Sequence, residues 1–304
     1  MTTNTKIAVV TGGAGFIGSH LVEELLARGY RVRVIDTLVA GKREHVPPAA
    51  EFFNVDVRDR VALTPIFAGA HTVFHLAALP RVQYTIEHPL ESHEVNVTGT
   101  QTILQIAKET GASRTVFASS AAIYGDSQDL PLQENAAAAP LSPYALHKYI
   151  SEEYLKLFSR LYGLSSVSLR FFNVYGPRLD PEGPYALVVG RFLKQRRQGE
   201  PLTVTGDGEQ TRDFIHVQDV VRSLVLAGET FNVGAGEVIN IGSGKSASVN
   251  RIAELVGGPI EYVAPRVEPR DARADNRRAK QLLGWEPTIS LEDGITELKK
   301  ELGL

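Results

Sequence analysis

Six short apolar runs, separated by longer helical patterns, fill the first 170 residues, and no other feature of the chain restricts its fold as much. They are KIAVVT (6–11), RVRVID (31–36), EFFNVD (51–56), TVFHLA (72–77), RTVFAS (114–119) and SSVSLR (165–170). Helical periodicity lies between most of them: residues 16–28, with Ile17, Leu21 and Leu25 on one stripe, then 90–109 and 144–162. Parallel strands need crossover connections of this length, so the pattern predicts an α/β fold, a doubly wound parallel sheet covered by helices on both faces.

The pattern changes after residue 173. Gly176, Pro177, Pro181, Gly183 and Pro184 interrupt the chain. Shorter elements follow: helices near 185–198, 217–226 and 249–256, and a strand at 201–204. This divides the chain into a larger domain over 1–173 and a smaller mixed α/β cap over 174–304, discontinuous, with some segments returning to the first domain. No glycine/serine linker separates the two, so they should share an interface. GETFNVGA (228–235) is echoed at once by GEVINIGS (236–243), which reads as a strand–turn repeat packed under the cap.

Composition narrows the function classes. A hydrophobic content of 43% and a charged content of 22% are those of a soluble globular protein. A formal net charge of -3 offers no overall attraction to nucleic acid or to an anionic membrane. Basic runs such as Lys194 to Arg197 read as solvated helix faces. The chain has no cysteine, which excludes disulfides, thiolate metal sites and cysteine nucleophiles, and no metal is expected. The opening MTTNTK lacks the apolar core of a signal peptide, and no apolar run approaches the ~20 residues that span a bilayer. A cytoplasmic protein without nucleic-acid or membrane partners is expected.

The first strand runs into TGGAGFIG, with Gly12, Gly15 and Gly18 three residues apart, and then into an amphipathic helix. Glycines allow the tight turn and let backbone N–H groups approach a pyrophosphate, and the helix N-terminus adds about half a positive charge. The larger domain is therefore read as nucleotide-binding. Asp36 ends the second strand, eighteen residues beyond Gly18. An acid there accepts hydrogen bonds from the adenine-ribose hydroxyls and repels a 2′-phosphate, which favours NAD over NADP. Lys42 and Arg43 lie close by and soften that exclusion. Asp56, followed by Val57, reads both as an adenine contact and as the cap of the next helix.

SPYALHK (142–148) begins another helix. Ser142 suits the N-cap and Pro143 the first helical position. Tyr144 and Lys148 then lie one turn apart on one face. Free tyrosine and lysine titrate at about 10 and about 10.4. An ammonium beside a phenol favours phenolate, and a nicotinamide cation favours it further, so the pair becomes a base near neutrality. Ser119 and Ser120 end a strand ahead of this helix, where strands of a doubly wound sheet point at the nucleotide. Ser120 is placed to donate to a carbonyl or to relay a proton.

TGGAGFIGSH, HLAA (75–78), NVTGT (96–100), SSAAIYG (119–125), SPYALHK, LRFFNVYGPR (169–178) and TRDFIHVQDV (211–220) occur together and in order. They resemble the extended short-chain dehydrogenase/reductase family, specifically its NAD-dependent nucleotide-sugar epimerase/dehydratase branch. The resemblance runs up to LLGWEP (282–287). It implies a Rossmann-type sheet with a substrate-binding cap, Tyr144 as base, Lys148 orienting the nicotinamide ribose, and Ser120 as their hydroxyl partner. It implies an NAD site made by Gly12, Gly15, Phe16, Ile17, Gly18, Asp36, Gly41, Asp56, Val57, Leu76, Ala77, Ala78, Asn96, Tyr144, Lys148 and Phe172. It implies a UDP-sugar site made by Ser120, Tyr144, Asn173, Val188, Arg212 and Arg270, with Asn173 and Arg212 at the diphosphate. Arg266 and Arg273 compete with Arg270 for its place, because PRVEPRDARAD (265–275) departs from the family spacing. Pro80 stands where some 4-epimerases carry lysine, with Arg81 adjacent, and Thr37 follows the ribose-binding acid where asparagine is frequent.

Members of the branch share a first step, oxidation at carbon 4 of the sugar. Dehydratases add an Asp-Glu pair just after the position of Ser120, and decarboxylases of UDP-glucuronate a glutamate two residues before the tyrosine of the YG pair. Ala121 and Ala122 occupy those positions here, and alanine has no proton to move. The resemblance thus implies 4-epimerisation of a UDP-hexose. The alternatives are a UDP-N-acetylglucosamine 4-epimerase, or a dehydratase, decarboxylase or reductase of the same branch. Helices 90–109 and 144–162 carry apolar residues beyond one stripe, among them Tyr154, Leu155, Leu157, Phe158, Leu161 and Tyr162. Relatives pair such helices in a four-helix bundle, which implies a homodimer.

Overall fold

A computed structural model describes residues 5–179, 188–265 and 270–304. The first part of the chain alternates strands and helices: β1 (Ile7–Thr11), α1 (Phe16–Ala27), β2 (Arg31–Ile35), β3 (Glu51–Phe53), α2 (Arg60–Leu63), β4 (Ala70–His75), α3 (Val82–Glu87), α4 (Pro89–His93), α5 (Gly99–Glu109), β5 (Arg114–Ser120), α6 (Pro143–Tyr162) and β6 (Ser166–Phe171). The remainder comprises β7 (Asn173–Tyr175), α7 (Val188–Gln198), β8 (Leu202–Thr205), β9 (Thr211–His216), α8 (Val217–Glu229), β10 (Ala235–Ile241), β11 (Ser246–Ser248), α9 (Val249–Val256), β12 (Ile260–Val263), α10 (Arg277–Leu283) and α11 (Leu291–Leu302).

Among the described residues, seven strands form one parallel sheet in the order β10-β6-β5-β4-β1-β2-β3. Successive side chains of a strand point to opposite faces, so an all-apolar strand feeds two cores. β1 does this: Ala8 and Val10 join the core under α1 and α8, and Val9 joins the core under α5 and α6. The chain leaves β1 in one direction through β2 and β3 and returns to β4 on the other side. That reversal opens a crevice at the C-terminal ends of β1 and β4.

One expectation is corrected. The tandem echo is not a strand–turn repeat under the cap. Its first half is the end of α8 and a turn in which Phe231 is exposed, whereas its second half supplies β10, the seventh strand of the main sheet. Val238, Ile239 and Ile241 are buried there, and the Glu237 carboxylate folds back to accept from the Gly234 and Ala235 amides. The helix expected over 90–109 runs without a break. α4 and α5 are joined by a π-helical turn over Glu94–Thr98, a feature that often marks functional positions.

α8 packs beside α1 on the main sheet. The cap is built from β7, β9 and β11 in one small sheet, β8 and β12 in another, and α7, α9 and α11 around a core that includes Phe192, Val204, Ile252 and Leu298. Asp219, buried on α8, ties the C-terminal segment to this frame. Its carboxylate accepts from Thr288 N and Oγ and from Ile289 N, while its carbonyl accepts from the Trp285 indole at 2.9 Å. Asp219→Ala strands the Thr288 and Ile289 donors, and buried donors left unpaired cost about 1–3 kcal/mol each before relaxation. A fall in melting temperature of several degrees is expected by calorimetry; an unchanged melting temperature would mean that the segment docks without this anchor.

Candidate active site

The crevice is a cleft of about 440 Å³ floored by the glycine turn. Gly12 has φ +73, and a Cβ there would lie 2.7 Å from Ala77 N; one at Gly18 would lie 2.1 Å from Gly12 O. Only glycine lets the turn and the loop after β4 approach this closely. Gly15 is the N-cap of α1, without a side-chain cap and with no acid in the first turn. Gly15, Phe16, Ile17 and Gly18 all line the cleft, so the positive end of the helix faces it uncompensated. These residues fit a dinucleotide pyrophosphate.

Asp36 lies at the rim of the same cleft. Its carboxylate accepts from Ala14 N at 3.0 Å and Leu38 N at 2.8 Å, which fixes the loop after β2. A Cβ on Gly41 would come within 3.0 Å of Asp36 Oδ1 and 2.8 Å of Ala14 Cβ, so Gly41 keeps this corner open. Asp56 and Val57 line the cleft as well, but Asp56 caps no helix. It accepts from Arg58 N and from the Arg58 guanidinium, which holds its carboxyl below the usual range, and Asp59 caps α2 through Ala62 N.

Leu76, Ala77 and Ala78 form the facing wall. A buried polar chain holds them. Thr100 Oγ donates to Asn96 O at 2.7 Å, so it must accept from His75 Nε2 at 2.9 Å. His75 Nδ1 is then an acceptor for Thr11 Oγ at 2.7 Å, and Thr11 Oγ accepts from Ala77 N at 3.2 Å. Every group is satisfied with His75 neutral and protonated on Nε2, which agrees with burial pushing His75 down to about 3. Asn96 lies behind this wall rather than in the cleft. Its amide clamps Leu79, accepting from Leu79 N at 2.7 Å and donating to Leu79 O at 3.1 Å.

α6 begins as its sequence implies, with Ser142 Oγ accepting from Ala145 N at 3.2 Å and Pro143 in the first turn. Tyr144 and Lys148 line the cleft from one face of this helix. Lys148 is buried; its Nζ donates to Ala118 O at 2.7 Å and lies 5.8 Å from the Tyr144 ring centroid. Burial brings the Lys148 ammonium down to about 7, with Glu152 opposing. Burial also raises the Tyr144 phenol, and a hydrogen bond from Ser120 opposes that rise. The Ser120 oxygen accepts from Ala122 N at 3.2 Å, which leaves its proton for the phenol. In the protein alone, desolvation therefore outweighs the Ser120 hydrogen bond at Tyr144.

The cap side assembles the other predicted residues outside the cleft lining. β7 and β9 run side by side, and Asn173 Nδ2 donates to Asp213 O at 3.2 Å. Arg212, on β9, donates to Thr211 O at 2.9 Å and to Arg270 O at 3.0 Å, so Arg212 and Arg270 meet although 58 residues separate them. The Arg270 side chain is 69% exposed, and its backbone N–H donates to Asp126. Arg273 offers its carbonyl to Leu132 N. Arg266 lies outside the described residues. Val188 opens α7 and packs on the cap core.

Phe172 is displaced from its expected role. It is buried beside Tyr124, ring centroids 6.3 Å apart, and Phe171 lines the cleft instead. A one-residue step along a strand changes the face, so the motif located the pair but not the member. Arg58, Ser119 and Leu179 also line the cleft and were not anticipated. For Ser119 the strand end was a signal; for Leu179, after the PR pair, there was none.

A model of the NAD dependent epimerase/dehydratase family matches residues 8–242. The chain belongs to that family. A family member from Mycolicibacterium smegmatis, a UDP-glucose 4-epimerase, is 37% identical over 306 residues, covering 95% of this chain and 96% of its own. A UDP-N-acetyl-alpha-D-glucosaminuronate decarboxylase from Bacillus cytotoxicus is 36% identical over 312 residues, covering 96% of both chains. The crystal structure of a UDP-glucose 4-epimerase with UDP-glucose, from Thermotoga maritima, superposes with a TM-score of 0.91 at 39% identity, covering 97% of this chain and 99% of that one. Overall identity does not separate epimerase from decarboxylase within the epimerase/dehydratase family, so the choice rests on individual side chains.

Asp36→Ala removes a carboxylate that holds two amides. Charge-assisted hydrogen bonds are worth about 1.5–3 kcal/mol, so NAD affinity should fall roughly 10- to 150-fold and discrimination against NADP should narrow, by titration of the cofactor-free protein. Unchanged affinity and preference would mean that the acid does not read the ribose.

Proposed function

We propose that this family member is a UDP-hexose 4-epimerase interconverting UDP-glucose and UDP-galactose, with NAD held in the cleft. The observation that carries the reading is what stands beside the reacting group. The turn after Ser120 presents Ala121 and Ala122, neither able to move a proton. Among the described residues, the carboxylates lining the cleft are engaged with protein groups: Asp36 with two amides, Asp56 with Arg58, and Glu91 with the Tyr84 hydroxyl at 2.6 Å. Elimination or decarboxylation needs a further acid or base at the sugar. Inversion at carbon 4 does not.

NAD, held by the glycine turn and Asp36, would supply the hydride chemistry at carbon 4 of the sugar. The protein supplies the proton chemistry. Tyr144 takes the 4-hydroxyl proton and gives it back. Ser120 donates to the phenol oxygen and so favours its ionised form. Lys148 supplies positive charge beneath it and reaches the nicotinamide ribose. Asn173, Arg212 and Arg270 hold the UDP diphosphate, since a guanidinium fork matches phosphate oxygens.

The assembly reading is a cytoplasmic homodimer. Leu155 and Phe158 of α6 are buried in the protomer, but Leu146, Leu161 and Tyr162 of the same helix are 44%, 58% and 50% exposed. A second copy forming a four-helix bundle with α5 and α6 would cover them. Absence of cysteine suits a reducing compartment, and among the described residues no helix is long and apolar enough to cross a membrane.

Purified protein given UDP-glucose, with no added cofactor, should yield UDP-galactose; a 4-keto-6-deoxy sugar, or a pentose from UDP-glucuronate at comparable rate, would overturn the assignment. Tyr144→Phe should lower the single-turnover rate by about 10²–10⁴ with UDP-sugar binding barely changed. Lys148→Met should move the rising limb of the pH–rate profile upward; an unmoved limb would separate the lysine from the tyrosine. Arg212→Ala should weaken UDP binding roughly 10- to 150-fold, and unchanged UDP affinity would place this arginine away from the diphosphate.

A further inference from the structure

Tyr144 and Lys148 continue into a third residue that the reaction does not name. Glu152 lies one turn beyond Lys148 on α6, so the three follow at intervals of four along one face. Its side chain is fully buried. The carboxylate accepts from Arg170 Nε at 2.9 Å and Nη2 at 2.7 Å, a two-pronged pair with β6, and from Ser119 Oγ at 2.5 Å. Arg170 in turn lies 4.7 Å over the Tyr124 ring, whose hydroxyl donates to Asn240 of β10 at 2.6 Å.

The place of this group matters more than its burial. Ser119 sits between Ala118, whose carbonyl receives the Lys148 ammonium, and Ser120, which bonds the Tyr144 phenol. Glu152 therefore grips the one strand end that holds both reacting partners. It is also the charged group that supports the Lys148 ammonium against desolvation. The other groups around Lys148 give no such support. Tyr144 is neutral in the protein alone, and His75 of β4 and His147 of α6 are pushed down to about 3 and about 4 by burial and by neighbouring charges including Lys148. The Phe117 ring, 4.7 Å from Nζ, carries no charge.

We propose that Glu152 is a positioning residue of this enzyme, keeping the Lys148 ammonium charged beneath the tyrosine and fixing the end of β5 that presents Ala118 O and Ser120. The assignment rests on reading Tyr144 and Lys148 as the reacting pair. Arg170 is the counter-ion that allows a carboxylate at this depth.

Glu152→Gln keeps the shape and removes the charge, so Lys148 should lose its proton at lower pH. Two readouts follow. The alkaline limb of the single-turnover pH profile should move down by about one pH unit, the low end for losing a nearby opposite charge. Melting temperature gives a reading independent of turnover. A buried lysine with a depressed pKa makes the folded state bind fewer protons than the unfolded one, so its cost is fully present below the folded value and disappears as pH rises toward the unfolded value. The variant should thus fall further below the parent as pH drops from about 8 to about 6. Glu152→Asp, which keeps the charge, should slow turnover while leaving the limb and the melting gap near the parent's. If Glu152→Gln alone fails to fold because Arg170 is stranded, the double variant Glu152→Gln/Arg170→Met removes both charges and carries the same test. An unmoved limb with a melting difference constant across pH would overturn the proposal, leaving Glu152 a structural ion pair. An active Tyr144→Phe enzyme would instead overturn the underlying reading without touching the melting result.

Discussion

One buried ammonium ties the molecule together where its chemistry lies. Lys148 Nζ donates to Ala118 O at 2.7 Å and so joins α6 to the C-terminal end of β5. Burial of a lysine is costly, and that cost is tolerated because the sheet delivers a carbonyl at the right depth and α6 delivers Glu152 behind it. Tyr144, Ser120 and the cleft floor are all referenced to this junction. The order of the strands puts it beside the glycine turn: β5 neighbours β4, and β4 neighbours β1.

The wall opposite the reacting pair is built on the same principle, with neutral groups. The run from Ala77 N through Thr11, His75 and Thr100 to Asn96 O satisfies each buried donor once. A protonated His75 would carry a second donor with no vacant acceptor along this run, so the histidine remains uncharged beside a charged lysine. The loop from Leu76 to Leu79 is thereby held by neutral groups alone.

Much of this was legible in the sequence because the decisive features are local. The glycine turn is a strand, a turn and a helix in succession, and Tyr144, Lys148 and the Ser142 cap all belong to one helix. What escaped depended on contacts between distant segments or on a face chosen at a strand end. β10 pairs with β6 across more than sixty residues, and the echo of GETFNVGA in GEVINIGS hid a sheet strand inside an apparent repeat. Phe171 replaced Phe172 because β6 ends at Phe171. Asn96 was expected in the cofactor site, whereas it lies behind the wall, where its partner, Leu79, comes from another loop. Asp56 and Asp59 both precede α2, and only the geometry assigns the cap to Asp59.

In the proposed reaction carbon 4 gives up its hydrogen as hydride and receives the same one back, while Tyr144 handles only the oxygen-bound proton. UDP-glucose deuterated at carbon 4, incubated in ordinary water with the purified protein and no added nucleotide, measures this directly. UDP-galactose should form with the deuterium still on carbon 4. Loss of the label to solvent during conversion would contradict the account.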